Sequence, residues 1–473
     1  MENSVTSESL VVFQTSQGLE VRATALRLNK HQVVFEVCAP SVVLRMSEVL
    51  ADLKIVINGQ LVYAGRAVVS NLLNTGPVVV CEATLDDAWR DVDFSACGTE
   101  GAKLSGEFNR FLQSWQKSYR VLPEYKLIIA DMQMFLMDLR LWLEQVELGI
   151  RSSPSADRLE LEREVAQALA RAVVPCIDSL WEKFEILAAG IDKESQPAHQ
   201  HYLRRQLHPL VLSSPFAYRT FHKPLGYAGD YETVNMIVRD PHEGGSLFAK
   251  MVNAWLLAQP PAEAHRNRVR YLADKLTEET VRVASEGKSA RVFSLACGPA
   301  VEVQNFLMDK DISDRAQFTL LDFNDETLQY TSAVMKDIKA KYRRIAPIQY
   351  ISKSVHQLLK ESGKGIERKP ENQYDFIYCG GLFDYLSDSV CQRLVNIMYG
   401  WLAPGGLFLA TNVDSSKPFH VSMDYILDWR LMCRSGRKLE ELARSGAPSS
   451  NYSVKADFTG VNVLTEVRKP KDA

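Results

Sequence analysis

The sequence predicts a multidomain α/β protein, in which an open and mainly parallel sheet follows a helical region and a small β-barrel. Two observations support this prediction. Apolar runs alternate with helical patterns over residues 214–473, and short strand-like runs separated by turn signals fill residues 10–95. The chain has 473 residues, of which 46% are hydrophobic, so it can form several domains that each bury a core.

Residues 1–97 are predicted to form the barrel. Asn58 and Gly59 stand between apolar runs as in a two-residue hairpin, and about six strands recur at short spacing. This arrangement resembles a PilZ-type barrel, a family in which an arginine-rich entry and a D-x-S-x-x-G turn hold cyclic di-GMP. The corresponding turn here reads RLNKHQ and lacks the Asp, Ser and Gly. The resemblance therefore implies a degenerate barrel that supports the fold or docks a partner and does not bind this nucleotide.

Residues 98–213 are predicted to be a helical region. Its apolar side chains recur at three- and four-residue steps. They are Ile128, Met132, Phe135, Leu139, Trp142 and Val146. This stripe suits a bundle core or a homodimer seam better than a ligand groove, and we expect any homodimer contact to use this region or the barrel. In the following helix Ser155 is a candidate cap, and Pro175 is expected to kink or divide the helix.

Residues 214–473 are predicted to form the sheet domain with crossover helices. The five expected strands are Val292–Ala296, Phe318–Leu321, Ile348–Ser352, Phe376–Cys379 and Leu407–Thr411. A final hairpin around Thr459 and Gly460 is expected to add an antiparallel strand to the otherwise parallel sheet.

A candidate cofactor site follows the first two of these strands. In the stretch FSLACGPAVE, Gly298 allows a sharp backbone turn, Pro299 suits the entry to a helix, and Glu302 falls in the first helical turn. The second strand ends in Asp322, whose carboxylate can accept hydrogen bonds from both hydroxyls of a ribose. Phe323 can cover an adenine ring. Ligands bind at the carboxyl ends of strands in open α/β sheets, so these residues are expected to lie together.

The chemistry of this turn favours a cationic cofactor over a dinucleotide. A phosphate prefers the fuller G-x-G-x-x-G pattern and no carboxylate in the first helical turn, whereas Glu302 is present here. The chain resembles a class I S-adenosylmethionine-dependent methyltransferase, and its later stretch WLAPGGLFLATNV resembles the L-x-P-G-G turn before that fold's fifth strand. The resemblance implies a Rossmann-like, seven-stranded sheet and S-adenosylmethionine as the cofactor.

The same resemblance assigns cofactor contacts to residues that follow four strands. They are Cys297 and Gly298 for the methionine part, Asp322 for the ribose, Phe323 and Asn324 beside the adenosine, Ser354 and Val355 at the adenine edge, and Gly380 and Gly381 facing the sulfonium and the acceptor.

Four further stretches point to a narrower family. FHKPLGYAGDYETVNM, HRNR, GLFDYLSD and DWRLMCR together resemble the bacterial methyltransferases of extracellular factor 3-hydroxypalmitic acid methyl ester biosynthesis. The resemblance implies a small-molecule acceptor, such as the carboxylate of a hydroxy fatty acid. An O- or N-methyltransferase of another metabolite, and a cofactor-binding scaffold or sensor without catalysis, remain alternatives.

The candidate catalytic residues depend on the acceptor. They are Tyr227, Asp230, Tyr231, Asp384, Tyr385 and Arg430. A carboxylate is already ionised at neutral pH and needs only a cation or hydroxyl to orient it, for which Arg430, Arg434 and the three tyrosines are candidates. An alcohol or amine needs a general base, for which Asp230, Asp384 and His265 are candidates. The segment 226–231 is expected to form a lid over the cofactor, with Asp230 as a helix cap in the alternative interpretation.

Composition and charge narrow the possible partners, metal sites and location of the protein. The net charge is −3 with 55 basic and 58 acidic residues, which disfavours nucleic acid as a partner. The eight cysteines include no C-x-x-C pair, so we expect no zinc site and no disulfide framework. The polar N-terminus does not resemble a signal peptide, and no apolar run is long enough to span a membrane, so a cytoplasmic location is expected.

Overall fold

The computed structural model describes residues 9–28, 31–37, 43–57, 60–74, 79–86, 109, 112, 121–153, 157–362, 373–416, 419–447 and 451–471. The strands are β1 (Ser9–Gln14), β2 (Glu20–Leu28), β3 (Gln32–Val37), β4 (Val49–Ile57), β5 (Gln60–Asn74), β6 (Val79–Leu85), β7 (Ala290–Leu295), β8 (Ala316–Asp322), β9 (Ile348–Ser352), β10 (Tyr374–Cys379), β11 (Leu402–Val413), β12 (Asn451–Ala456) and β13 (Asn462–Arg468).

The α-helices are α1 (Pro123–Ser152), α2 (Arg158–Ala189), α3 (Gln196–Val211), α4 (Pro215–His222), α5 (Tyr231–Val238), α6 (Leu247–Ala258), α7 (Pro260–Ser285), α8 (Val301–Asp309), α9 (Asp325–Tyr342), α10 (Val355–Ser362), α11 (Asp388–Trp401), α12 (His420–Leu427) and α13 (Gly436–Gly446). Short 3-10 turns occupy Asp311–Arg315 and Phe383–Tyr385.

The first six strands close into an antiparallel barrel in the order β1-β2-β3-β6-β5-β4. Inward-facing side chains alternate with exposed ones along β2, as the two-residue period of a strand requires. Strands β4 and β5 pair as a hairpin, with Ile57 opposite Gln60. The predicted barrel and its hairpin are therefore confirmed, while the turn residues Asn58 and Gly59 lie outside the described part of the chain.

The other seven strands form one mixed sheet in the order β12-β13-β11-β10-β7-β8-β9. Strands β7 to β11 are parallel, and β13 pairs antiparallel with both β11 and β12. All five strands predicted for this region and the final hairpin are present, so the predicted Rossmann-like, seven-stranded sheet is confirmed. The chain starts at β7, builds outward to β9 and then returns to β10 beside β7. The loops after β7 and β10 consequently leave the sheet in opposite directions and open a crevice between them.

Apolar helices cover both faces of this sheet. One face packs against α7, α8 and α9 through side chains such as Leu276, Phe306 and Met335. The other face packs against α10, α11 and α13 through Leu358, Leu394 and similar residues. Strands buried on both faces read as continuous apolar runs, which is why the sequence pattern located them well.

A third core joins the long helices in front of the sheet domain. Most of its members come from α1, α2, α3 and α6, and α4, α5, α7 and residues 425–427 of α12 also contribute. Most of the predicted apolar stripe on α1 packs here, although Trp142 is 52% exposed. The cluster continues from α3 into α6, across the boundary proposed at 213/214, which stays a prediction.

One alternative predicted for this region, that Pro175 divides the helix, is wrong. Pro175 lies inside the single helix α2 and does not divide it. A proline removes one backbone hydrogen bond, and packing of both halves of the helix against the same core outweighs that loss. The predicted cap Ser155 lies outside the described residues, and Asp157 caps the helix by accepting a hydrogen bond from the Glu160 N–H.

The stretch APGG within β11 provides a test of this sheet. A Cβ atom on Gly406 would lie 2.8 Å from the Ala403 carbonyl oxygen and 3.1 Å from that of Tyr374, both of which are backbone atoms that cannot move aside. We expect Gly406→Ala to lower the free energy of unfolding by about 1–3 kcal/mol, measured by urea titration. Gly400→Ala is the control, because its Cβ meets open space on a helix and should be neutral or stabilising. Equal stability of the two variants would contradict the packing described here.

Candidate active site

In the turn after β7, every second residue has a positive φ angle. Ala296, Gly298 and Ala300 have φ angles of 55°, 53° and 50°, a region that costs an L-residue roughly 1–2 kcal/mol. Hydrogen bonds to neighbouring elements hold the turn in place. The Cys297 N–H donates to the Leu321 carbonyl at 3.0 Å, and the Thr331 hydroxyl donates to the Gly298 carbonyl at 2.8 Å. Two strained alanines at one strand end indicate a turn whose shape is maintained for a function.

Asp322 joins this turn to the end of β8. One of its carboxylate oxygens accepts the Gly298 N–H at 3.1 Å, and the other accepts the Asn324 N–H at 3.1 Å. Asp322 is buried, and burial raises the pKa of its carboxyl, while these N–H groups and the charge of Arg45 oppose the shift. The carboxylate therefore lies at the crevice with both oxygens already engaged by backbone donors.

A cavity of about 240 Å³ opens in front of these strand ends. It is larger than the ~150 Å³ engineered cavity that holds benzene in another protein. One part of its wall is the strand-end loops, including residues 296–302, Asp322 and Gly381. The other part is apolar and comes from the helices, with Trp181, Phe216, Ile237, Trp255, Leu256 and Ile426 among its members.

Ionisable side chains line the region where these two parts meet. The Tyr378 hydroxyl donates to Glu302 at 2.8 Å, and burial raises the pKa of that carboxyl. Arg268 Nη2 lies 2.9 Å from Nδ1 of His265. Burial, followed by the charges of Arg268 and Arg266, lowers the pKa of His265 well below its usual value, so the ring is neutral at pH 7.

Three of the six predicted catalytic residues line the cavity. Tyr227 packs against Phe323, with ring centroids 5.2 Å apart. Asp384 accepts hydrogen bonds from the Val413 N–H at 2.7 Å and the Asn412 amide at 2.8 Å, and burial raises its pKa. Tyr385 accepts a hydrogen bond from the Trp429 indole at 2.9 Å. Their catalytic roles stay predictions.

The other three predicted catalytic residues do not line it. Asp230 caps α5 by accepting the Thr233 N–H at 2.9 Å, and its two carboxylate oxygens share the Nε–H of Arg219 at 2.9 and 3.0 Å. The Tyr231 hydroxyl donates to Glu326 at 3.0 Å on the outer surface. Arg430 is paired with Asp424, outside the cavity wall. The segment 226–231 thus sends one side chain, Tyr227, towards the cavity.

The predicted cofactor residues divide in a similar way. Those that line the cavity are Cys297, Gly298, Asp322, Phe323, Gly380 and Gly381. Asn324 instead caps α9 by accepting the Thr327 N–H at 2.9 Å, and the Ser354 hydroxyl accepts the Gln357 N–H at 3.2 Å. Val355 is buried in the core between the sheet and α11. Their assignment to the adenosine stays a prediction.

Sequence reasoning missed Arg45 and assigned no role to Arg268. Arg45 comes from the barrel and places its guanidinium 4.2 Å over the Phe323 ring. No local pattern connects residues so far apart in the chain. Arg268 lies in the stretch HRNR, one of the four stretches that carry the narrower family resemblance. Its position on α7, three residues after His265, was the available signal, because residues at that spacing share a helix face.

The described residues contain neither a metal-binding cluster nor a helix that could span a membrane. No group of three or more His, Cys, Asp or Glu side chains is arranged to hold a metal ion there. None of the helices in this part of the chain combines the length and apolar character needed to cross a membrane.

No family model and no curated protein sequence matches the chain. Solved structures that resemble it include a possible exported protein from Bordetella parapertussis, at 15% identity and a TM-score of 0.44, over 67% of this chain and 100% of that one. Another is the N-methyltransferase NodS from Bradyrhizobium japonicum with S-adenosylhomocysteine, at 12% identity and 0.31, over 51% and 98%. A third is magnesium protoporphyrin IX methyltransferase from Synechocystis, at 7% and 0.31, over 44% and 84%. The order of strands in the sheet establishes the fold by itself.

The contacts of Asp230 predict a structural effect of its replacement. Asp230→Ala removes the α5 cap and leaves Arg219 without its carboxylate, so we expect a loss of about 2–4 kcal/mol in the free energy of unfolding. Asp230→Ser retains a capping oxygen and should lose less. Thermal or urea unfolding of both variants measures the difference. Unchanged stability of Asp230→Ala would show that these contacts are not structural.

Proposed function

We propose that this protein is an S-adenosylmethionine-dependent methyltransferase that acts on a small molecule. The observation that carries the proposal is the placement of Asp322 and the Gly298 turn. They end the adjacent parallel strands β8 and β7, of which β7 borders the point where the strand order reverses, and both face the cavity. In open α/β sheets this is the place where ligands bind.

The residues present fit this cofactor. A Cβ atom added to Gly298 would meet open space, so the turn leaves room for a ligand against its backbone. Asp322 supplies an acceptor for ribose hydroxyls, and Tyr227 and Phe323 supply an aromatic wall. Glu302, at the start of α8, favours a cationic ligand over a phosphate. When bound, S-adenosylmethionine supplies an activated methyl group on its sulfonium sulfur.

The acceptor is proposed to occupy the apolar part of the cavity. Aromatic and aliphatic side chains of α2, α5, α6 and α12 form this wall, which exposes few polar atoms. An acceptor with a long apolar portion would bury it there, gaining about 25 cal/mol for each Å² removed from water. The carboxylate of a hydroxy fatty acid, converted to its methyl ester, is the acceptor that we propose to test first.

Arg268 is proposed to orient that carboxylate. Its guanidinium lines the cavity beside Gly381, whereas Arg430 and Arg434 are paired with Asp424 and Asp388. A carboxylate acceptor needs no base, so orientation and exclusion of water are the tasks left to the protein. If the acceptor is an alcohol or an amine, Asp384 is the better candidate base at the cavity wall, because burial raises its pKa, whereas His265 has a lowered pKa and its Nδ1 already contacts Arg268.

Two measurements test this function. Calorimetry with S-adenosylhomocysteine reports whether the cofactor binds. Mass spectrometry of 3-hydroxy fatty acids of several chain lengths, incubated with protein and cofactor, reports a gain of one methyl group. Binding together with methylation is the expected result. Binding without methylation of any offered metabolite would favour the cofactor-binding scaffold or sensor, and absence of binding would refute the proposal.

Asp322 should determine cofactor affinity. We expect Asp322→Asn to weaken S-adenosylhomocysteine binding by roughly ten- to a hundredfold, because a charge-assisted contact of about 1.5–3 kcal/mol is lost. Asp325→Asn is a matched control, since Asp325 lies three residues away on the outer surface, where its carboxylate accepts a hydrogen bond from the Ser352 hydroxyl at 2.6 Å. Circular dichroism verifies the fold. Unchanged affinity of folded Asp322→Asn would exclude the ribose assignment.

Arg268 should determine acceptor affinity. Arg268→Met is expected to raise the KM for a carboxylate acceptor at least about tenfold, while the Kd of S-adenosylhomocysteine stays the same. Arg270→Met, an exposed change on the same helix, serves as the control. Loss of cofactor affinity with an unchanged KM would instead place the Arg268 guanidinium on the carboxylate of the cofactor.

A further inference from the structure

The barrel contributes an arginine to the cavity of the sheet domain. Arg45 lies in the segment 43–48, which connects β3 to β4, and it lines the cavity together with Met46. Its side chain reaches Phe323, the residue that follows β8, at 4.2 Å from the ring centroid. Arg45 and Phe323 therefore form one wall of the cavity, although about 280 positions separate them in the sequence.

The Arg45 side chain lacks a partner that it would be expected to have. The residue is 6% exposed, and its Nε is buried without a hydrogen-bond acceptor among the described residues. A buried donor without an acceptor costs free energy, which a ligand with an acceptor atom can recover. The charge of Arg45 acts on Asp322 and Tyr227, so the guanidinium faces the end of the cavity that these residues form.

The segment that carries Arg45 is anchored on both sides. Within the barrel, Glu48 accepts the Arg45 N–H and the Ser16 N–H, each at 2.9 Å. Towards the sheet domain, the Met46 N–H donates to the Tyr385 carbonyl at 3.2 Å, and the Ser47 hydroxyl donates to the Arg430 carbonyl at 2.9 Å. These bonds hold the arginine at a defined position over the site.

A second contact joins the barrel to the segment 226–231. The Val49 N–H donates to the Gly226 carbonyl at 2.8 Å. A Cβ atom on Gly226 would lie 2.8 Å from Cβ of Ser16, so the two backbones meet closely. The next residue, Tyr227, packs on Phe323. The barrel thus supports both side chains that contact the Phe323 ring, Arg45 directly and Tyr227 through Gly226.

We propose that the N-terminal barrel is a wall of the cofactor site and that Arg45 binds the adenosine end of the cofactor. This inference rests on the proposed function. An adenine ring offers ring nitrogens that can accept a hydrogen bond from the unpartnered Nε, and a second aromatic face for the guanidinium that already lies over Phe323. Arg45 would act as a binding residue supplied by a separate domain, so cofactor affinity depends on how the barrel docks.

Calorimetry and competition binding with two ligands test this proposal on the full chain. S-Adenosylhomocysteine carries both the adenosine and the amino-acid end, and 5′-methylthioadenosine carries only the adenosine end. We expect Arg45→Met to weaken both ligands by a similar factor of about ten. Arg22→Met is the matched control, because Arg22 is an exposed arginine of the same barrel, and it should leave both affinities unchanged. Thermal unfolding verifies that the variants fold.

The outcomes separate the two proposals. If wild type binds S-adenosylhomocysteine and Arg45→Met binds it equally well, the role of Arg45 is refuted while the proposed function stands. Weakening of S-adenosylhomocysteine alone would place Arg45 at the amino-acid end and also refute it. Failure of the wild type to bind either ligand would overturn both proposals. Should Arg45→Met not fold, Arg45→Lys retains the charge but lacks the planar face and Nε, and the same loss is expected.

Discussion

The candidate site depends on one buried carboxylate. Asp322 accepts hydrogen bonds from the backbone N–H of Gly298, in the turn after β7, and from that of Asn324, which caps α9. It therefore connects the ends of two adjacent strands. A carboxylate removed from water is costly unless donors surround it, and here the backbone supplies them. The strained turn at Ala296 and Ala300 keeps its shape partly through this bond. These bonds fix the turn after β7 and the end of β8 relative to each other at the edge of the crevice.

Three cores converge on that crevice. The sheet carries the glycine turn and Asp322, the long helices supply the apolar wall, and the barrel contributes Arg45 and supports Tyr227. Tyr385 also packs against the barrel core, although it belongs to the sheet domain. A cavity formed between separate cores can bury a ligand extensively, and the affinity for that ligand then depends on the contacts between those cores.

The sequence predicted the sheet well because strands buried on both faces leave strong apolar runs, as in FSLACG and FTLLDFN. Most residues that it assigned to the candidate cofactor site line the cavity, since strand ends and glycine turns are local features. It could not locate Arg45, whose role depends on how the barrel docks. Nor could it distinguish Asp230 and Asn324, which cap helices, from ligand contacts, because the same residue types serve both purposes.

A crystal structure of the full chain with S-adenosylhomocysteine is the most direct test of this account. We expect the ligand to lie in the cavity beside the Gly298 backbone. Its ribose hydroxyls should be at hydrogen-bond distance from Asp322, and its adenine should lie next to Phe323 and Arg45. A ligand bound elsewhere, or a ribose out of reach of Asp322, would contradict this account.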